Sequence, residues 1–257
     1  MFLKSDDADL FISSFGRGPR TIVAHGGWVG SGELWQQPFE QLSQRWRTVT
    51  FDHRGTGATV NRASTITFDL LVDDLFRVLD ALRIDSCVLA GESSGAFVVL
   101  EAALRQPERF DGLVLVDGRY RGGKSAGATR FIEGCKANFE ATMEMFVNAC
   151  VPEDNCEAER RWGKQIVLRS DGPSAVQLME CLEPVELEHR LSQIHQPTLL
   201  IHGSRDVITP IASSQNLAQK LPNSKLITIE GAGHVPTVTR PTEVVRAIEE
   251  FFAKDTP

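Results

Sequence analysis

The pentapeptide GESSG, Gly91 to Gly95, stands between an apolar run, SCVLA (86–90), and a helix-compatible one, AFVVLEAAL (96–104). In that setting Gly-x-Ser-x-Gly predicts a strand turning sharply into a helix, with Ser93 at the apex and its hydroxyl exposed. Such a turn strains its central residue and presses strand against helix; Gly91 and Gly95 leave room for that approach. The helix behind the serine would aim free N–H groups and the positive end of its dipole at the point where an oxyanion develops. A serine in an ordinary tight turn can carry the same signature, so the motif needs support from the rest of the chain.

Outward from the pentapeptide, short apolar runs alternate with segments of helical period. TIVAHGG (21–27), RTVTFD (47–52), SCVLAGE (86–92), GLVLVDG (112–118), PTLLIHG (197–203) and SKLITIEG (224–231) read as strands. FDLLVDDLFRVLDAL (68–82), GAFVVLEAALRQPERF (95–110) and PTEVVRAIEEFFAK (241–254) read as helices. Strands apolar throughout, alternating with helices, imply an α/β chain whose mostly parallel central sheet has helices on both faces. The rhythm breaks between Gly118 and Gln196, where no strand is evident and where Cys135, Cys150, Cys156, Cys181, Met143, Met145 and Met179 all fall. Core segments 1–117 and 197–257 would therefore flank a helical insertion, 118–196, whose methionines suit either an adaptable lid or core filling.

Bulk properties narrow the function classes. A net charge of −7 over 257 residues argues against a nucleic-acid or anionic-membrane surface. No apolar run approaches the roughly 18 residues needed to span a bilayer. The start, MFLKSDDADL, lacks the apolar core of a signal peptide, so a cytoplasmic protein is expected. Five cysteines without C-x-x-C spacing suggest reduced thiols, with neither a disulfide frame nor a metal site.

Further chemistry-bearing residues fall at the ends of predicted strands. HGG (25–27) offers a glycine-rich turn whose backbone N–H could face the substrate of Ser93. HGSRD (202–206) places Asp206, and GAGH (231–234) places His234, on loops at strand ends. The order nucleophile, acid, base is that of the strand–Ser–helix hydrolases. Asp117, ending GLVLVD, is a rival acid or a turn-capping aspartate. His25, His53 and His202 read as partners of local backbone, and Trp35, Trp46 and Trp162 as packing residues.

Together AHGGW (24–28), FDHRGTGAT (51–59), GESSG, HGSRDVITP (202–210) and GAGHVPTVTRPTEV (231–244) make the chain similar to α/β-hydrolase-fold enzymes over nearly its whole length. The resemblance implies the α/β-hydrolase fold with a helical cap inserted after the sixth conventional strand. It implies Ser93, Asp206 and His234 as catalytic residues, backbone N–H groups of Gly27 and Ser94 as oxyanion hole, and no cofactor. Trp28, Glu92, Met143 and Val207 are the candidate substrate contacts, and Asp52 and Arg54 would brace the site from behind. Glu92 departs from the histidine or asparagine frequent beside the nucleophile. The expected partner is a small, largely apolar ester or lactone. A carbon–carbon bond hydrolase of the meta-cleavage-product type and a ligand sensor that keeps the triad share the layout.

One motif competes. GRYRGGKS (118–125) satisfies the phosphate-loop pattern G-x-x-x-x-G-K-[ST] after an apolar run. Bulky Arg119, Tyr120 and Arg121 crowd positions where backbone would wrap phosphate, and no strand-ending acid is left over to hold magnesium. It reads instead as the exit from the core, with Gly122 and Gly123 as a hinge. Arg119, Arg121, Lys124 and Arg130 are then either a solvated cluster or, in part, groups that admit an anionic substrate.

Overall fold

A computed structural model describes residues 1–253. The chain runs β1 (Phe2–Lys4), β2 (Ala8–Phe15), β3 (Arg20–His25), α1 (Gln36–Leu42), β4 (Trp46–Phe51), β5 (Val60–Asn61) and α2 (Phe68–Ala81). There follow β6 (Cys87–Glu92), α3 (Gly95–Arg105), β7 (Phe110–Val116), then α4 (Ala126–Ala137), α5 (Phe139–Cys150), α6 (Glu157–Val167) and α7 (Gly172–Glu180). The chain returns through β8 (Thr198–Gly203), α8 (Ala212–Lys220), β9 (Ser224–Ile229), α9 (Pro236–Thr239) and α10 (Pro241–Phe252). Lys254, the last residue of the helix read from the sequence, lies outside the described residues.

Strands pair in the order β1-β2-β4-β3-β6-β7-β8-β9, with β5 on β2. Every pairing from β4 to β9 is parallel, and those involving β2 are antiparallel. Alternate residues of the parallel strands leave the sheet on opposite sides. Val88, Ala90, Val114, Val116, Leu199 and Ile201 pack with Phe39 and Leu42 of α1 and Val244 and Ile248 of α10. Leu89, Leu113, Leu115 and Leu200 pack with Leu75 and Leu79 of α2 and Phe97 and Leu100 of α3. Two covered faces are why these strands are apolar at every position; each Leu or Val so buried contributes about 1.5–3 kcal/mol. The antiparallel edge follows a different rule. In ADLFISSF (8–15) buried Ala8, Leu10 and Ile12 alternate with partly exposed neighbours, a period-two pattern that a search for continuous apolar runs passes over.

Four helices, α4 to α7, fill the interval between β7 and β8. Local sequence starts three of them: Ser125, Asn138 and Asp171 each accept an N–H from the first turn of α4, α5 and α7. The GRYRGGKS segment leads into them and is pinned. The Gly122 N–H donates to the Val185 carbonyl at 3.0 Å and the Gly123 N–H to the Glu183 carbonyl at 2.7 Å. A Cβ on Gly122 would stand 2.2 Å from the Leu182 carbonyl oxygen, so this glycine serves close backbone approach. Amides that a phosphate loop would turn to its ligand are consumed here by the chain itself. All five cysteines are unpaired, Cys181 half-buried and the others buried. No helix among the described residues is long and apolar enough to cross a membrane.

Behind β3 and β6 the loop after β4 is anchored by charge. Asp52 accepts the Gly32 N–H at 2.9 Å and the Ala58 N–H at 2.7 Å. Arg54, fully buried, grips Asp74 of α2 through Nε at 2.6 Å and Nη2 at 3.0 Å, and reaches Asp7 at 2.8 Å. Removing one member of such a pair leaves a buried uncompensated charge, which costs about 3–5 kcal/mol. Arg54→Ala is therefore expected to lower the unfolding free energy by about that much in urea titration. A loss under about 1 kcal/mol would mean that the network is not structural.

Candidate active site

The GESSG turn forms between β6 and α3 as the spacing demands. Ser93 has φ +52°, a left-handed conformation unusual for a residue with a side chain. Its N–H donates to the Val116 carbonyl at 2.8 Å, and its own carbonyl accepts from the Arg119 N–H at 3.0 Å. The flanking glycines are steric necessities. A Cβ on Gly91 would meet Val99 at 2.6 Å, and one on Gly95 would meet the Gly26 carbonyl oxygen at 2.5 Å. Close packing of α3 on the loop after β3 thus brings Gly27 against Ser93, a Cβ there lying 3.4 Å from that of Ser93. Among the described residues, neither the Gly27 nor the Ser94 N–H has a backbone acceptor.

Two buried imidazoles hold the Gly27 loop. His25 lies 2.7 Å from the Gly26 carbonyl through Nδ1, and His53 lies 2.9 Å from the Gly27 carbonyl through Nε2. Their rings stack at 4.7 Å. Burial pushes His25 down to about 3 and lowers His53 as well, so both are neutral. Trp28 then ties the loop to the inserted helices: its indole N–H donates to the Ala175 carbonyl of α7 at 2.7 Å, and its ring meets Phe131 and Phe146 edge-on.

From the far side, the loop after β9 delivers His234. Its Nε2 is 2.8 Å from Ser93 Oγ, and its Nδ1 is 2.7 Å from Asp206 Oδ2. Asp206 also accepts N–H groups of Ile208 at 2.7 Å and Thr209 at 3.0 Å. Burial alone would raise its carboxyl; the His234 bond and these amides outweigh burial and hold it below the usual carboxylate range.

A residue with no motif steadies the histidine loop. Glu153, buried in the turn between α5 and α6, accepts the Gly233 N–H at 2.8 Å and the Thr239 hydroxyl at 2.7 Å. Beside it the Cys150 carbonyl accepts the His234 N–H at 2.8 Å. Nothing in VPEDNC (151–156) distinguishes Glu153 from a solvated loop acid, so sequence reasoning misses it.

Two further carboxyls lie beneath the imidazole. Asp117, with φ +48°, accepts the Gly203 N–H at 2.9 Å and makes no bond to His234. Burial, with the neighbouring Asp206 charge, pushes it well above the carboxylate range. Asp117, Asp206 and His234 bring ligand-type atoms within 4.8 Å of one another. Within this group His234 Nδ1 and Asp206 Oδ2 are already bonded to each other, so a cation would have to break that pair. Glu92, next to Ser93 in the chain, accepts the Thr237 hydroxyl at 2.8 Å. Burial drives its carboxyl up to about 8.

Ser93 and Ser94 open into a cavity of about 510 Å³, walled by Trp28, Phe131, Phe146 and Met179, with Val207 68% exposed at its mouth. A cleft of about 630 Å³ near Thr65, Glu101 and Arg190 is larger but holds none of these groups. Two anticipated substrate contacts do not reach the main cavity. Met143 is fully buried, on the α5 face it shares with Val147 and Cys150, while Phe146 on the adjoining face lines the cavity. Glu92 instead borders a separate recess of about 50 Å³ beside Ser93.

The model of the α/β-hydrolase fold family matches residues 20–241. The chain belongs to the α/β-hydrolase family. This α/β hydrolase is 30% identical to pimeloyl-[acyl-carrier protein] methyl ester esterase of Nitrosomonas europaea, the match covering 94% of this chain and 99% of the relative. Its fold superposes on an esterase from Exiguobacterium antarcticum with TM-score 0.91 at 18% identity, over 98% of both chains. An enol-lactonase from Burkholderia xenovorans LB400 gives 0.90 at 18% identity, over 98% of this chain and 100% of the other.

The raised Glu92 carboxyl has a consequence for this hydrolase's stability. Between about 4.5 and about 8 the folded protein keeps the proton and the unfolded chain releases it. Stability from this group is therefore lost as pH rises through that window. Glu92→Gln is expected to gain melting temperature relative to wild type between pH 5 and 8.5. A constant difference across that range would contradict a protonated Glu92.

Proposed function

We propose that this α/β hydrolase cleaves carboxylic esters or lactones of small, largely apolar molecules through an acyl-enzyme at Ser93. The observation that carries the proposal is the 2.8 Å contact of Ser93 Oγ with His234 Nε2, beside the backbone of Gly27 and Ser94, whose N–H groups have no backbone acceptor among the described residues. His234, donating through Nδ1 to Asp206, has a free lone pair on Nε2 to take the serine proton as Oγ attacks the acyl carbon. The two amides receive the oxyanion; loss of one such donor typically costs about 10²–10³ in rate. The imidazolium, stabilised by Asp206, returns the proton to the departing alkoxide. Water, deprotonated by the same imidazole, then attacks the acyl-enzyme; its collapse releases the acid and regenerates Ser93. The methyl ester esterase and enol-lactonase named among the relatives support the ester or lactone reading, and the apolar wall of the cavity supports the substrate character. The inserted helices act as the cap over that cavity.

A fluorophosphonate probe is expected to label Ser93, and short-chain p-nitrophenyl esters to turn over repeatedly. Ser93→Ala and His234→Ala should each remove most of that turnover, on the order of 10³-fold or more, with the double variant little worse. Unchanged turnover in Ser93→Ala, or additive losses in the double variant, would refute a shared nucleophile–base mechanism.

A further inference from the structure

We propose that Arg119 is an anion anchor in the substrate cavity, and that the ester or lactone cleaved there carries a carboxylate. The proposal rests on the hydrolytic reading of Ser93 and names the substrate class of that site. The Arg119 backbone, bonded to the Ser93 carbonyl at 3.0 Å, fixes this residue beside the nucleophile. Its half-buried side chain lines the same cavity as Ser93 and Ser94. The other arginine of this cavity, Arg121, is matched by Glu188, as Arg105 and Arg190 of the neighbouring cleft are by acids, Glu101 among them. Among the described residues Arg119 has no ion pair within 4.0 Å and no side-chain hydrogen bond. Glu183 borders a small side recess with Arg119 but stays beyond ion-pair distance. The cavity wall includes Arg119 and Arg121 and no aspartate or glutamate.

A guanidinium withdrawn from water without a partner is costly, and here burial is the sole influence, lowering its proton affinity. A ligand carboxylate would satisfy it through two parallel N–H···O bonds, and the fork geometry suits carboxylate better than a point charge would. The cavity that holds Arg119 and Ser93 also has the apolar side chains of Trp28, Phe131, Phe146 and Met179 in its wall. A short methylene chain with the ester at one end and a carboxylate at the other meets both requirements. Of the basic cluster around the GRYRGGKS segment, Arg121 is spent on Glu188, and Lys124 and Arg130 are exposed and do not line the cavity.

The test compares monomethyl adipate with methyl hexanoate, alike except that a carboxylate replaces the terminal methyl, by methanol release. The kcat/KM ratio of the charged over the neutral ester is expected to fall roughly 10- to 100-fold in Arg119→Gln, the range for a lost hydrogen bond to a charged group. Arg119→Lys, which keeps charge without the fork, should fall between. Lys124→Gln should leave the ratio unchanged. An unchanged ratio in Arg119→Gln, with both esters slowed equally or not at all, would overturn the anchor. A second arm needs no turnover: adipate should raise the melting temperature of Ser93→Ala and not of Ser93→Ala combined with Arg119→Gln. Equal stabilisation of both, or of neither, would overturn the proposal. Adipate stabilisation that requires Arg119 in a protein that hydrolyses neither ester would keep the anchor and reject the hydrolytic reading.

Discussion

The left-handed backbone of Ser93 is the constraint on which the site is assembled. Holding a serine there costs about 1–3 kcal/mol, and the conformation persists only because its surroundings over-determine it. Both backbone groups of Ser93 are committed to the chain leaving β7, its N–H to Val116 and its carbonyl to Arg119. Gly91 and Gly95 let α3 sit so close that Gly95 touches the Gly26 carbonyl. The same packing that strains the serine therefore sets the distance to the Gly27 amide on one side and to His234 on the other. The proposed nucleophile and oxyanion donors are positioned by the backbone itself.

Beneath the imidazole three carboxyls share one small volume, and their surroundings sort them. Asp206 gathers two amides and the histidine and is held below the usual carboxylate range; Asp117 and Glu92, buried with fewer compensating donors, are pushed above it. The carboxyl bonded to His234 is thus the one whose surroundings favour its charged form, which is what an imidazolium formed in the proposed acyl transfer would require. Two ionised neighbours more would repel one another and Asp206 at close range, so burial of Glu92 and Asp117 protects the site from its own acidity.

Much of this was legible in the chain because chemistry collects where parallel strands end. Ser93, Asp206 and His234 each follow an apolar run closed by glycine, and sheet topology brings those ends together without further information. What could not be read depended on contacts between segments that carry no period. Choosing Phe146 rather than Met143 as a cavity residue requires knowing which face of α5 meets α4 and α6, and both faces are apolar. Glu153 acquires its role only when the turn it occupies lands on Gly233. GRYRGGKS satisfies a phosphate-loop pattern, yet its glycine amides are absorbed by the strap at residues 183–185. The pattern encodes residue types, and the bonds decide the function. The antiparallel edge was hidden for another reason: one buried face yields alternation, which is weaker to the eye than a continuous apolar run.

The inserted helices hold the site at two points. Through Ala175 they bind the indole beside Gly27, and through Cys150 and Glu153 they bind the loop that bears His234. The covering of the cavity and the alignment of its reactive groups are thus one mechanical unit. A molecule too bulky for the cavity does not merely fit badly. Under the proposed reaction it would press on the loops of Gly27 and His234 through the same helices, so that discrimination would extend from occupancy to rate.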